Sequence, residues 1–286
     1  ADNLTYTLCM EEVSKVDAST GITLSVHTSL CCACISEFGT EEQKQTYLRP
    51  LIDGSKIGCF GLTEPGAGSD VAGAQTVAVQ DGDDYIITGS KVFTTNSGFA
   101  DTCVVFAITD RSVPAAKGMT AFIVDLKEMP GISVSENIER MGIRAASNCI
   151  VSYDNVRVPA WNLVGHEAGL GKGFGFAMKT LDKSRACVGA LAVGIARRAL
   201  DEAIAFVKER VTFGAPVSKR QGIQWMIAEM ATKIEASRLL VSHANFLQQN
   251  GLPFSKEAAM AKMFATESAM SVCTDAIQLM GGKGYM

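Results

Sequence analysis

The sequence predicts an α+β fold in three successive blocks, helices first, then strands, then helices again. Three observations carry this. Residues 1 to about 57 run with few turn signals, and residues from about 58 to 165 break into short β-branched and aromatic runs divided by Gly, Asp and Pro. From about Gly171 the apolar residues return to helical spacing. Because strands are grouped and not alternated with helices, the middle block is expected to be an antiparallel β domain. The expected division is a partial N-terminal helical domain over 1–57, a central β domain over 58–166, and a C-terminal helical bundle, truncated, over 167–286.

Taken in order, residues 20–38 are small and apolar, and Gly39-Thr40 opens a new helix. Thr40 as N-cap with Gln43 three residues on has capping-box spacing, and Pro50 marks the end. In the middle block, residues 57–62, 76–79, 85–88, 102–107 and 119–124 read as strands, with short runs at 149–151 and 156–158. Asp81-Gly82-Asp83-Asp84, Ser97-Gly98 and Pro130-Gly131 supply the turns. In the third block, a helix of some three dozen residues starts near Lys172, crowded with Ala and Gly in a way that suits close helix approach. Ile223, Ile227, Met230 and Ile234 form an apolar stripe on a helix from Arg220 to Gln249, closed by Asn250-Gly251. Ser255 is expected to cap the next helix, which runs to about Leu279.

Composition excludes several classes. With 26 basic and 30 acidic residues among 286 and no block of one sign, there is no basic stripe to displace counterions from nucleic acid. The longest apolar run, Ala186 to Ala196, has 11 residues, against the roughly 20 that a membrane span needs. Nine cysteines are an odd number, and eight lie in apolar helix or strand segments, as buried reduced thiols would. Cys31, Cys32 and Cys34 lack a second Cys/His pair at metal-binding spacing, so no metal is expected. His27, His166 and His243 are scattered and, like Trp161 and Trp225, read as structural.

The stretch with most chemistry is Phe60-Gly61-Leu62-Thr63-Glu64-Pro65-Gly66-Ala67-Gly68-Ser69-Asp70. A strand ends in a turn rich in glycine, hydroxyl and carboxyl groups. Gly66 and Gly68 are expected to turn with positive φ and to let a ligand approach bare N–H groups, while Thr63 and Ser69 add hydroxyls. The spacing matches neither a dinucleotide G-x-G-x-x-G fingerprint nor a phosphate-binding P-loop.

Five motifs, in order and well spaced, resemble the acyl-CoA dehydrogenase family, in particular its short-chain (butyryl-CoA) branch. They are residues 60–70, Gly89-Ser90-Lys91-Val92-Phe93-Thr94-Thr95-Asn96, Leu181-Asp182-Lys183-Ser184-Arg185, Arg210-Val211-Thr212-Phe213-Gly214-Ala215-Pro216 with Gln221, and Gln278 to Tyr285. The resemblance runs essentially from end to end, and residues 24–30 agree with it. It implies an enzyme with FAD against the β domain and an acyl-CoA thioester between the ring and the helices. A carboxylate takes the α proton, the β hydrogen leaves to the flavin, and electrons pass to an electron-transferring flavoprotein. By the match, Phe60, Leu62, Thr63, Gly68, Ser69, Phe93, Thr94 and Thr95 contact the flavin, Phe93 standing where the family usually has Trp. Arg210, Thr212, Phe213, Gln221, Gln278, Gly281 and Gly282 resemble contacts to a flavin held mainly by a neighbouring subunit, which implies a homotetramer. Ser69, Asp182, Ser184 and Arg185 correspond to substrate positions. The reduced thiols fit a reducing compartment, and the resemblance implies a bacterial cytoplasm, which is preferred, or a mitochondrial matrix.

The resemblance also marks what is missing. The family's glutamate base lies downstream of the final Gly-Tyr and is expected beyond Met286, so the catalytic residue is unknown and the chain reads as an internal segment. The base position of the isovaleryl branch is Ser184 here, and Gly21 stands where glutaryl-type enzymes carry Arg, so a linear short acyl chain is preferred. The alternatives are an enoyl-CoA reductase in a bifurcating complex, an acyl-CoA oxidase, or a truncated scaffold without activity.

Overall fold

Helices open the chain, as the apolar spacing predicts, in a computed structural model that describes residues 2–286. Helix α1 (Asn3–Val16) is capped by Asp2, whose side chain accepts from Thr5 N–H. Helix α2 (Ala18–Phe38) is not uniform: Val26–Cys32 forms a π-helical turn between two α-helical stretches. Among the described residues this stretch is long and apolar enough by composition to cross a membrane, and half of it is buried within the protein as in a core helix. The Thr40–Gln43 capping box is present and opens helix α3 (residues 41–52), which has a second π turn at Lys44–Leu48.

Packing groups the chain into two compact units, residues 23–181 and residues 1–22 with 182–286, so the first helical block contributes to both. The first unit is built on a seven-stranded sheet: β1 (Gly58–Gly61), β2 (Val77–Asp81), β3 (Asp84–Thr95), β4 (Thr102–Ile108), β5 (Met119–Asp125), β6 (Ile132–Val134) and β7 (Asn148–Pro159). The order is β1-β4-β2-β3-β7-β6, with β5 also on β4. The expected antiparallel sheet needs one correction. Most pairs are antiparallel, but β1 runs parallel to β4 from Gly58↔Thr102 to Gly61↔Val105, and β2 meets β4 in parallel at Val77↔Ile108. The cause is connectivity: the β2–β3 hairpin intervenes before β4, so β4 returns beside β1 in the same direction.

Two runs read as separate strands, 149–151 and 156–158, are one strand, β7. Strand β3 continues through Gly89 to Thr95, because Gly89 takes a φ of +148° that a side chain would resist, and a Cβ there would collide with Thr76. Strand β4 is buried along its length. Val104, Phe106 and Ile108 face one core with Cys31, Ile35, Leu51 and Phe60, while Cys103, Val105 and Ala107 face another with Ile87, Tyr153 and Val158. This is the period of two expected of a strand covered on both faces. Helical residues between 30 and 51 cover the first face, and the curl of β3 and β7 covers the second.

Gln43 is fully buried and ties distant parts of this unit together. Its Nε2 donates to the Trp161 and Leu163 carbonyls, each at 2.7 Å, and its Oε1 accepts from Gly165 N–H at 3.0 Å as well as from Thr40 N–H.

In the second unit, α1 packs with helices α4 (Gly173–Glu209, of which residues from 182 belong here), α5 (Gln221–Gln249) and α6 (Ser255–Met280). The small residues of α4 do make close approaches: Gly189 abuts Val241 and Ala261, and a Cβ at Gly194 would strike the Glu11 carbonyl. Gly21 lies against Ser14, so a larger side chain there would force Ser14 aside. Buried Glu11 is paired with Arg197 and Arg238. Of the predicted stripe on α5, Met230 and Ile234 are core, with Ile223 and Ile227 packed at its edge. The cap of α6 differs from expectation: Phe254 occupies the N-cap, and Ser255 is the first helical residue, its hydroxyl donating to Asp182 at 3.0 Å.

Candidate functional site: a hydroxyl-lined apolar cleft

Strand β1 delivers its last residues to a cleft of about 160 Å³ lined by Val26, Leu30, Phe60, Leu62, Thr63, Val92, Phe93, Thr95 and Leu181. Five of the residues expected to contact a flavin meet here: Phe60, Leu62, Thr63, Phe93 and Thr95. Phe93 and Thr95 are two apart on β3 and share a face; Thr94 between them is buried, so any part it plays there is its main chain's. A register shift between Lys91 and Thr94 puts Phe93 at φ +56°, a costly conformation for an aromatic residue, and leaves its ring 62% exposed at the rim.

Three hydrogen-bonded ties hold the walls together. Gly58 donates its N–H to His27 Nδ1 at 3.0 Å, while His27 Nε2 donates to the Leu51 carbonyl at 3.1 Å. Burial holds the His27 pKa below its ordinary value, so the ring is neutral and its tautomer is fixed by these two partners. Asn96, buried at φ +74°, donates from Nδ2 to the Thr23 and Gly58 carbonyls at 3.0 and 3.2 Å. Val92 N–H reaches the Thr63 carbonyl at 2.8 Å.

Beneath Thr63 lies a feature that sequence reasoning missed, a buried ion pair. Lys91 Nζ is 2.6 Å from Glu64 Oε1 and 3.3 Å from the Leu62 carbonyl, and the two side chains are 0% and 5% exposed. Glu64 also accepts from Gln75 N–H at 2.6 Å and Thr76 N–H at 3.0 Å. Burial alone would raise the Glu64 pKa, but Lys91 and the backbone donors outweigh it and hold the carboxyl below its ordinary value. Burial is also the largest influence on Lys91 and depresses its pKa, with Glu64 opposing it. Lys91 within a strand is the one local signal, and it does not point to Glu64, 27 positions away.

The turn after Glu64 is closed by Glu64 N–H to the Ala67 carbonyl and Ala67 N–H to the Glu64 carbonyl, at 3.0 and 3.1 Å. The expectation of positive φ at Gly66 and Gly68 is not met; neither is in that region. Pro65 sets the first turn angle instead. The other part of the expectation holds: a Cβ at either glycine would meet nothing within 4 Å, and Gly68 and Ser69 are exposed. Bare backbone therefore stands open beside the cleft.

These residues fit a flavin. Leu62 and Phe93 offer apolar surface to a flat ring, Thr63 and Thr95 offer hydroxyls to its polar edge, and the open glycines admit a phosphate-bearing chain. The cleft is smaller than the roughly 300–1,000 Å³ of sites that bury a whole ligand, so it has room for one part of such a molecule only.

In the other unit, Arg210, Gly281 and Gly282 line a separate cavity of about 430 Å³ with Phe206, Val217, Leu279, Met280 and Lys283. The Lys283 ammonium stands 5.6 Å from the Phe206 ring centre. Thr212 and Phe213 belong to a tight hairpin, Val211–Thr212 and Ala215–Pro216, turned by Phe213 and Gly214 at positive φ. Phe213 is 96% exposed, with the Arg220 guanidinium 5.2 Å from its ring centre. Gln221 starts α5 and Gln278 lies exposed on α6; neither lines the cavity. Asp182 and Arg185 pair with each other across one turn of α4, and Ser184 between them is buried.

Among the described residues, no three His, Cys, Asp or Glu side chains gather as a metal site. Burial pushes the Cys32, Cys34 and Cys187 thiols up to about 12, so none is a ready nucleophile.

Three domain models match the chain in order: acyl-CoA dehydrogenase N-terminal domain over residues 1–55, middle domain over 59–156, and C-terminal domain over 171–286. The chain is 51% identical to the short-chain-specific acyl-CoA dehydrogenase of Clostridium acetobutylicum, over 99% of this chain and 74% of that protein. Its fold superposes on butyryl-CoA dehydrogenase from Megasphaera elsdenii with a TM-score of 0.96 and 46% identity, covering 100% of this chain and 73% of that one. A chain in the structure described as the electron transferring flavoprotein of Acidaminococcus fermentans, solved towards a mechanism of flavin-based electron bifurcation, matches with a TM-score of 0.97 and 50% identity, over 100% and 74% of the two chains.

Proposed function

This chain belongs to the acyl-CoA dehydrogenase family, and from that membership we infer an FAD-dependent enzyme that converts a short-chain acyl-CoA thioester to its trans-2-enoyl-CoA and passes the electrons to an electron-transferring flavoprotein. The observation that carries it is the cleft in which Phe60, Leu62 and Thr63 meet Phe93 and Thr95. FAD, when bound, supplies the two-electron acceptor. The chain's own residues bind and orient it: Thr63 and Thr95 present hydroxyls, Leu62 and Phe93 exclude water from one side, and Gly68 and Ser69 receive the chain beyond the ring. An α proton of a thioester is far too weak an acid for a carboxylate in water, so exclusion of water by these apolar walls is part of the chemistry. Glu64 is not the base that takes it, because its oxygens already accept from Lys91, Gln75 and Thr76.

Asp182, Ser184 and Arg185 are proposed for the CoA moiety, Arg185 suiting its anionic end. Arg210, Thr212, Phe213, Gln221, Gln278, Gly281 and Gly282 are proposed to reach the flavin of a neighbouring subunit in a homotetramer. The blocks 1–57, 58–166 and 167–286 are proposed as the working domains. The bacterial relative favours the cytoplasm as the place of action.

The protein purified with FAD should show the oxidised-flavin spectrum and bleach on anaerobic addition of butyryl-CoA. Retention of the oxidised spectrum with butyryl-CoA and every other straight-chain thioester would refute this reading. The similarity to the chain studied for electron bifurcation favours a second reading, in which the same site runs as an enoyl-CoA reductase. Oxidation of the reduced protein by crotonyl-CoA faster than its reduction by butyryl-CoA would select it.

A further inference from the structure

Lys91 and Glu64 have no part in the cleft lining, yet they lie directly behind both segments that form it. Leu62 and Thr63 immediately precede Glu64, and Val92 to Thr95 immediately follow Lys91. The main-chain acceptors of the first segment are taken up internally: the Leu62 carbonyl by Lys91 Nζ, the Thr63 carbonyl by Val92 N–H, and the Glu64 carbonyl by Ala67 N–H. In a trans peptide the N–H points opposite to the carbonyl. With the Leu62 carbonyl held by a buried ammonium, the Thr63 N–H is turned away from Lys91. The ammonium also polarises that peptide, which strengthens the N–H as a donor, and with both partners almost fully buried water screens this effect little.

The strands around the pair are shaped to admit it. A Cβ at Gly61 would stand 3.3 Å from Lys91 Cγ and 3.3 Å from Cys103 Sγ, so glycine at residue 61 lets the lysine stem pass over β1 without crowding. Gly89 makes the matching allowance on β3 for Thr76, whose N–H reaches Glu64. Replacing a buried ion pair by apolar residues of similar volume is often neutral for stability, so stability alone does not account for these two charges.

We propose that Lys91 and Glu64 are positioning residues for the coenzyme: the pair fixes and polarises the Leu62–Thr63 peptide so that the Thr63 N–H donates to the electron-rich edge of the flavin, tightening FAD binding and favouring its reduced form. This rests on the assignment of the cleft to FAD. Neither residue touches the coenzyme or gives it a proton.

The test is the double variant Lys91→Met/Glu64→Gln, which leaves no unpaired buried charge and nearly preserves volume. FAD titration of the apoprotein and the flavin midpoint potential by dye equilibration are read beside the melting temperature of the apoprotein. The expected result is apoprotein melting close to wild type, an FAD dissociation constant raised about tenfold, as for loss of one charge-assisted hydrogen bond, and a midpoint potential shifted to more negative values. Gly61→Ala keeps both charges and presses on the lysine stem and on Cys103 Sγ. It should shift both flavin readouts the same way, by about threefold in affinity for a shift of a few tenths of an ångström. Wild-type affinity and potential in both variants would reduce the pair to a structural brace and overturn the inference, with the FAD assignment intact. A wild-type protein that takes up no FAD would overturn both.

Discussion

The cleft at Thr63 and the cavity at Arg210 contrast in how they are held. Around the cleft, each wall is tied to another by buried bonds between residues far apart in sequence: His27 with Gly58, Asn96 with Thr23 and Gly58, Lys91 with Leu62 and Glu64. Around the cavity, Arg210, Gly281, Gly282 and Lys283 are all exposed, and the nearby hairpin is held by its own turn and by Arg220 donating to the Thr212 carbonyl. The first is a preformed surface whose shape the fold has already fixed. The second is a set of side chains on a frame, with its affinity still to be realised against something else. Substitutions in the buried ties of the first should therefore cost stability, and substitutions at the second binding alone.

The largest effect should come from Lys91→Met alone, which strands a buried carboxylate. Breaking one side of a buried pair costs about 3–5 kcal/mol, measurable as a loss in urea-unfolding free energy. His27→Ala should cost less, about 1–3 kcal/mol, because it leaves the Gly58 N–H buried without an acceptor.

Acid sharpens the same contrast. Glu64 and His27 both have folded-state pKa values below their ordinary ones, so the unfolded chain binds their protons first. Their stabilisation is complete above the unfolded pKa and is lost as pH falls through the folded one. For His27 the loss starts below its ordinary value of 6.5, and for Glu64 below 4.5. Thermal melts from pH 7 to 4 should decline in wild type, and the decline below pH 4.5 should be shallower in Lys91→Met/Glu64→Gln.

The smallest effects on stability belong to Phe213→Ala and Gly66→Ala, both expected within about 0.5 kcal/mol. Phe213 is almost fully exposed, and a methyl at Gly66 meets open space. Weaker FAD retention in either variant, at unchanged melting temperature, would mark these positions as binding surface. A fall in melting temperature for Phe213→Ala would break the distinction between the two regions.

What the sequence made legible follows the range of the interactions involved. The capping box at Thr40 and Gln43, the stripe through Met230 and Ile234, and the closing Gly251 are local patterns, and each is where the spacing puts it. The parallel β1–β4 pairing was not legible, because strand direction depends on the path taken by the 40 residues between Gly61 and Thr102. The π turn at Val26–Cys32 leaves no mark in an apolar run. The site was readable as motifs, and the cleft joins five of their residues. Its supports were not: Glu64 and Lys91 lie 27 positions apart, and neither residue type alone announces a buried partner. Alternation along β3 sends the Thr94 side chain inward, which leaves only its main chain toward the cleft.

Gln43 sets an order on how this protein is made. Three of the four hydrogen bonds made by its side-chain amide join a helix cap to the Trp161 and Leu163 carbonyls and the Gly165 N–H, up to 122 residues downstream, and the fourth closes the cap at Thr40. During synthesis at about 5–20 residues per second, the buried amide waits on the order of ten seconds for those partners to leave the ribosome. Until then the early helices keep a polar side chain that water must satisfy, and the bonds around Gln43 are complete only once residue 165 has been delivered.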